Sequence, residues 1–570
     1  MNLLPQPRSV EMGEGLVTAR EPVVRVDPSL PAEGYALTIG PDEVAVVADD
    51  DAGEFYARAT LDQLTDEHGG RLPACTIRDW PDLPVRGVML DISRDKVPTM
   101  ETLKAQVARL ASWKVNHVQL YTEHTFAYRH HGEVWAKASP LTADDVRELD
   151  RFCRDHHVEL APNQNCLGHM GRWLAHDRYR PLAIAPDGWE ERGRWRAPTT
   201  VDPTKPASLE LVQELLGELL PCFTSRRVHV GLDEPWEMPA ERIDDYLAWV
   251  RTLRGLPELA GREMLIWGDI LDGRRDRIDR LPDGVTVCEW GYDDWYPFEQ
   301  RAATFEAAGQ PFWVCPGTSS WLTILGRVTN MRGNCAAAAA AALAHLGSEG
   351  FLNTDWGDLG HLQYLPVSEP GFAYGAAVSW CLEANRDLDL AEALSAHAYG
   401  DPTGELGRAL VTLGDVHLGI TPQFPNLSTL VLHLYYPQLQ VGRSFTEGVT
   451  TEELLAVEDR LAAAVDTLDR ARPRRSDGAL VLDELRAAAA LVALLCRDAR
   501  ERLAADGWLS SVPEERRREL AADLRPLVHT HRELWLARNR PGGLDDSTAW
   551  LEHLLHCYET GVTEKAWGGW

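Results

Sequence analysis

Arg227-Val228-His229-Val230-Gly231-Leu232-Asp233-Glu234 is the stretch on which the fold turns. Val228 to Leu232 reads as a buried strand that ends in two adjacent carboxylates. Pro235 and Trp236 follow and stop the ladder, since proline has no N–H to give it. Two readings stand at this point. Asp-Glu after a strand is a common helix N-cap and first turn. The same pair at the C-terminal end of a barrel strand is where catalytic groups sit in α/β barrels. The neighbouring segments have to decide.

From Val85 onward the pattern repeats as strand, polar corner, amphipathic helix. Candidate strands are Arg86–Ile92, His117–Thr122, Val158–Asn165, Val228–Leu232, Met264–Trp267, Val285–Trp290, Phe312–Cys315 and Phe351–Trp356. Met100, Leu103, Val107, Leu110 and Trp113 mark one helix between them, and a second opens at Thr142. The alanine run Ala336 to Ala342 reads as a closely packed barrel helix. The spacing predicts a (β/α)8 TIM barrel over residues 85–385. Residues 1–84 read as a small α+β domain. It has short runs at Val23–Val26, Ala36–Ile39 and Val44–Val47, a helix through Phe55 and Leu64, and closes at Asp79-Trp80-Pro81-Asp82-Leu83-Pro84. Residues 386–570 read as an all-α domain, with helices at 452–470, 478–504, 514–537 and 545–558. Trp535 to Leu544 stands out there as an aromatic and basic helix end. It reads as a plain terminus, or as an arm reaching an active site in its own chain or a partner's.

The chain carries 87 acidic against 57 basic residues, a formal net charge of −30. That field repels phosphate backbones and anionic membranes, so no nucleic-acid or membrane partner is expected. No apolar run approaches the roughly 20 residues that span a bilayer, and no signal peptide is visible. Ten cysteines stand singly, without a Cys-x-x-Cys pair. A reducing cytoplasm is the expected location. No glycine-rich phosphate loop and no His-Glu-x-x-His pattern occurs, so neither cofactor nor metal is expected.

In a barrel the successive strand ends face one another. They carry Arg86 and Asp91, then Glu123 and His124, then Asn163, Asn165 and His169. His229, Asp233 and Glu234 follow, then Trp267 and Asp269, Glu289 and Trp290, Trp321, and finally Trp356 and Asp358. Tryptophan faces pack on the C–H faces of a pyranose while carboxylates and amides fix its hydroxyls. One tryptophan alone is core packing; recurrence at consecutive strand ends points to a sugar site.

Val228 to Glu234 resembles the His-x-Gly-Gly-Asp-Glu signature of glycoside hydrolase family 20, the β-N-acetylhexosaminidases. Val85 to Arg94 resembles that family's first barrel strand, preceded by Asp79-Trp80-Pro81. Gly168-His169 resembles its Pro-Gly-His, and Leu4-Pro5-Gln6-Pro7 with Thr60 to Leu64 resembles its accessory domain. The resemblance covers about residues 3–380. It implies Glu234 as general acid and Asp233 as the group that orients a substrate 2-acetamido nucleophile. It further implies Arg86 on ring hydroxyls, Trp267, Trp290 and Trp356 as walls, Asp358 at the far rim, and His169 and His229 supporting the acid. Glu123 and Trp321 complete the expected substrate contacts. Leu232 departs from the family, which has a glycine there. Asn165, Leu167 and Glu123 also differ from its pattern. The family's tyrosine on the acetamido oxygen has no match in Pro316 to Trp321, and Tyr292 and Tyr296 stand farther off. The activity implied is exo-acting, retaining release of terminal N-acetylhexosamine from a glycan. The alternatives are an exo-β-glycosidase of other specificity or a non-catalytic sugar-binding protein. A homodimer, with the C-terminal helical domain packing onto a neighbouring barrel, is a further expectation.

Overall fold

The computed structural model describes residues 2–563 apart from Arg192. Five strands, β1 (Ser9–Thr18), β2 (Val23–Val26), β3 (Tyr35–Ile39), β4 (Val44–Ala48) and β5 (Arg71–Asp79), form a sheet in the order β1-β5-β3-β4-β2. The helix Asp51–His68 covers it. Its ends are set locally: Asp50 accepts from Gly53 N at 2.7 Å, and Gly69 closes it at φ +61°. Tyr56, Leu61 and Leu64 of the helix meet Leu37, Val46 and Ile77 of the sheet in a small separate core. β1 and β5 are absent from the sequence reading for a physical reason. Only Val17 is buried in β1, and Pro73 interrupts β5, so neither alternates.

The barrel strands are β6 (Val85–Asp91), β7 (His117–Thr122) and β8 (Glu159–Gln164). A small hairpin of β9 (Trp189–Glu191) and β10 (Arg194–Arg196) lies in the loop after β8. Then come β11 (Arg227–His229), β12 (Glu263–Trp267), β13 (Val285–Trp290), β14 (Phe312–Cys315) and β15 (Ser348–Asp355). The barrel closes as β11-β12-β13-β14-β15-β6-β7-β8, all pairs parallel. Met89, Tyr121, Leu265, Trp267, Cys288, Trp313, Cys315 and Leu352 form an inner cluster of their own. This is the layered side-chain filling of a (β/α)8 core, not a pore. Outside it, the alanines of helix Val328–Ala344 are mostly buried against β15 and helix Leu365–Trp380, where small side chains permit close approach.

β11 is shorter than the expected strand 228–232. Gly231 at φ +71° and Leu232 at φ +76° leave the extended region, so the regular ladder stops at His229. Val230 N→Leu265 O at 2.9 Å and Trp267 N→Gly231 O at 3.0 Å still tie the turn to β12.

The N-terminal sheet docks on the barrel through buried charges. Lys114 Nζ donates to Asp79 Oδ2 at 2.7 Å, and Tyr35 OH donates to the same oxygen at 2.9 Å. Beyond helix Leu365–Trp380 the chain is helical, including Glu405–Gly414, Thr451–Arg470, Gly478–Leu503, Glu514–Arg538 and Leu544–Thr560. Thr450 and Glu453 form a capping box at the start of one of them. Among the described residues no helix is long and apolar enough to cross a membrane.

Candidate active site

The turn after β11 is strained and tightly enclosed. Gly231, Leu232 and Glu234 all have positive φ, and Leu232 is fully buried. A leucine held in the left-handed region costs roughly 1–2 kcal/mol, so burial of its side chain and the surrounding contacts must outweigh that. Only glycine fits at 231, because a Cβ there would overlap Asn165 Oδ1. A Cβ on Gly168 would likewise overlap the Asp233 carbonyl. The loops after β8 and β11 are therefore interlocked, and the next residue, His169, is placed against both acids.

His169 Nε2 lies 3.1 Å from Asp233 Oδ2 and 3.5 Å from Glu234 Oε2. Burial opposes charge on this imidazole, but the Asp233 carboxylate outweighs it and lifts its pKa well above the usual value. Burial would raise Asp233 in turn, and the His169 charge wins and lowers it. These donor atoms all lie within 4.8 Å of one another, the arrangement that could chelate an ion. Asp233 Oδ1 is buried without a protein partner.

Asp269, two residues beyond β12, accepts from Glu234 N at 3.0 Å and so orients the acid's backbone. Burial first, then the Asp233 charge, pushes its pKa up to about 8. Asp233 and Asp269 titrate as a coupled pair, with burial and mutual repulsion favouring one shared proton. Raising the pH through about 8 removes that proton and sets a second negative charge beside Asp233. Activity is expected to fall along an alkaline limb near that pH, and Asp269→Asn, which mimics the protonated form, should move the limb upward. A kcat/KM–pH profile checks this; an unmoved limb would assign it to another group.

Arg94 is the hub of the opposite side. Its guanidinium stands 3.1 Å from Asp91 Oδ2, 3.4 Å from His169 Nδ1, 3.5 Å from Glu123 Oε1 and 3.7 Å from Asp358 Oδ1. It also lies 4.8 Å over the rings of both Tyr121 and Trp356. Burial and Arg94 pull Asp358 in opposite directions, burial prevails, and its pKa stands at about 6. Glu123 accepts from Tyr121 OH at 2.9 Å and is raised by burial against the Arg94 charge.

Arg86 corrects the sequence expectation. It sits near the first residue of β6, at the end of the barrel opposite Asp91, roughly 16 Å away at 3.3 Å per residue. Its side chain donates to Lys114 O and Leu83 O at 2.8 Å and pairs with Glu33 Oε2 at 2.6 Å, against the N-terminal domain. The strand's polarity was the missed signal: a ring-binding cation must follow the strand, as Arg94 does. His229 also stands apart from the acids. It is buried in the barrel, accepts from Gly231 N at 3.0 Å and packs 4.3 Å from Trp267. Burial lowers its pKa to about 3, so it is neutral and braces the turn.

The aromatic residues come together. Trp356 packs on Trp267 at 5.8 Å, and its Nε1 donates to Tyr292 OH at 2.8 Å. Tyr292 stacks on Trp290 at 5.2 Å and stands edge-on to Trp321 at 5.0 Å. Tyr292 is thus inside the box that the sequence reading placed it outside; its position two residues past the end of β13 was the available signal. Tyr296 instead donates to Glu289 at 2.5 Å. Trp267 Nε1 and Trp321 Nε1 are buried without protein partners. Unpartnered polar atoms, Asp233 Oδ1 among them, and a cluster of rings suit a polar ligand with flat apolar faces.

The sequence pattern of "Glycosyl hydrolase family 20, domain 2" matches residues 19–80, and that of "Glycosyl hydrolase family 20, catalytic domain" matches residues 83–336. The chain belongs to glycosyl hydrolase family 20. Among its relatives is a β-hexosaminidase of Akkermansia muciniphila, 26% identical over 259 residues, covering 41% of this chain and 52% of that one. Another is the lacto-N-biosidase of Bifidobacterium bifidum, 25% identical over 229 residues, covering 40% of this chain and 20% of that one. The chain therefore spans about half or less of the length of these curated relatives. The solved family 20 β-N-acetylhexosaminidase of Streptomyces coelicolor A3(2) shares the fold at TM-score 0.56. It is 21% identical, covering 69% of this chain and 95% of that one.

Proposed function

We propose that this family 20 chain is an exo-acting, retaining β-N-acetylhexosaminidase working by substrate assistance. The observation that carries the reading is the bridge of His169 between Asp233 and Glu234, with Asp233 Oδ1 left unpartnered. Two carboxylates that flank a glycosidic bond serve as acid and nucleophile from opposite sides. Here the two are adjacent and share one imidazole, so they stand on the same side. The nucleophile then comes from the substrate.

Glu234 gives its proton to the glycosidic oxygen as the acetamido oxygen of the same sugar attacks C1 and the C1–O bond breaks. Asp233 accepts the acetamido N–H and stabilises the positive oxazolinium. Glu234 then takes a proton from the water that attacks C1, and the two inversions give net retention. Arg94 and Asp358 bind ring hydroxyls at the rim, and Trp356 borders the ring with the fully buried Trp267 and Trp321 packed behind it. The Tyr292 hydroxyl, held by Trp356, takes the acetamido oxygen. The ten buried, unpaired cysteines support a reducing, cytoplasmic location.

Hydrolysis of aryl β-N-acetylglucosaminide and β-N-acetylgalactosaminide tests the reading, together with inhibition by a thiazoline mimic of the oxazoline. Turnover of neither substrate would refute it. Turnover with indifference to the thiazoline would keep the glycosidase and remove the substrate's own nucleophile.

A further inference from the structure

The rings of the box are buried, as most tryptophans in this chain are. Among the described residues four tryptophans are exposed: Trp195 (68%), Trp236 (53%), Trp295 (68%) and Trp508 (44%). Trp508 belongs to the helical C-terminal region. The other three fall on the loops after β8, β11 and β13, each between a barrel strand and its following helix. Topology puts all three at the catalytic end of the barrel. A single exposed tryptophan needs no explanation, but three on the loops of one rim do.

Two of them are fixed in place and joined. Trp236 N donates to Glu234 O at 2.7 Å, so this ring follows directly from the acid. The next residue, Glu237, is buried, and its carboxylate accepts from the backbone N–H and hydroxyl of both Thr199 and Thr200. That carboxylate staples the loop carrying Trp236 to the loop carrying Trp195. Trp195 in turn seats its indole on the backbone of Gly188, where a Cβ would collide with it. The Nε1 edge of the indole thus lies against the protein while most of the ring stays open to solvent. Trp295 sits in a loop anchored by Asp294 N→Asn330 Oδ1 at 3.0 Å.

We propose that Trp236, Trp195 and Trp295 are stacking platforms for sugar rings on the leaving-group side of the cleaved bond. The substrate is then a linear, β-linked glycan of three or more rings. Flat indoles on a rim suit the alternating C–H faces of such a chain. The net charge of −30 favours a neutral glycan over a sulfated or uronate-bearing one. This rests on the placement of Glu234 as the acid, since it defines which rings lie beyond the cleaved bond.

The test is calorimetric titration of the intact Glu234→Gln chain with β-1,4-linked N-acetylglucosamine oligomers of one to five rings. Affinity is expected to rise about tenfold or more from dimer to tetramer, and Trp236→Ala and Trp195→Ala each to remove about three- to tenfold of that rise. Trp508→Ala should leave the length dependence as it is. Affinity independent of length, or a length dependence that survives both loop substitutions, overturns the proposal. Aryl hydrolysis by the wild type is read separately, so a failed acid assignment is told apart from failed platforms.

Discussion

Glu234→Gln lowers kcat/KM by about 10²–10⁴-fold on a glycan, whose alcohol leaving group must be protonated as it departs. The loss should be much smaller on a nitrophenyl glycoside, whose leaving group departs as an anion. Glutamine keeps the volume and the backbone bond to Asp269, so the fold and the His169 geometry survive and the lost proton is isolated. Asp233→Asn gives a different pattern. It removes the negative charge that offsets the oxazolinium, a loss of about 10²–10³ that persists on the activated substrate. It also withdraws the carboxylate that keeps His169 charged. Equal losses on both leaving groups for Glu234→Gln would mean that it is not the proton donor.

Much of this was readable from residue order, and the parts that were not share a cause. A strand that ends in carboxylates, repeated with helices between, is a local pattern. Thus the barrel strands and the pairing of Asp233 with Glu234 lie close to where periodicity puts them. Facing partners are not local. Arg86 and Arg94 are both near one strand, and only the strand's direction separates the arginine against Glu33 from the one against His169. Tyr292 reads as a loop residue until β13, β14 and β15 close and bring Trp290, Trp321 and Trp356 around it. Leu232 carries the opposite lesson: its departure from the family's glycine is visible in the sequence, but the φ of +76° it must hold is not.

The contact least visible in the sequence is the one between helices Glu514–Arg538 and Leu544–Thr560 and the loop after β6. It joins residues more than 400 apart. Thr99 N and Thr102 Oγ1 donate to Arg538 O at 2.9 and 2.8 Å, and Arg540 N donates to Val97 O at 2.8 Å. Arg172 bridges Asp95 Oδ1 and Asp546 Oδ2 at 2.9 and 3.0 Å. The helix end at Trp535 to Leu544 therefore reaches the barrel of its own chain. At its centre Gly543, at φ +76°, lies so close to Asp95 that a Cβ would overlap the Asp95 carbonyl. Asp95 is the neighbour of Arg94, so Gly543→Ala must displace either the helix connector or the loop that aims the guanidinium. Strain alone costs on the order of 1 kcal/mol, and the backbone overlap adds about 1–3 kcal/mol more. A shift of the Arg94 loop by an ångström is enough for about a 10²-fold loss of kcat/KM. Gly309→Ala is the matched control, because Gly309 has φ +65° and nothing near its Cβ. It should lose only the strain, with turnover retained. Denaturant midpoints and kcat/KM of the two variants separate the cases: equal behaviour would mean that the helical region does not position Arg94.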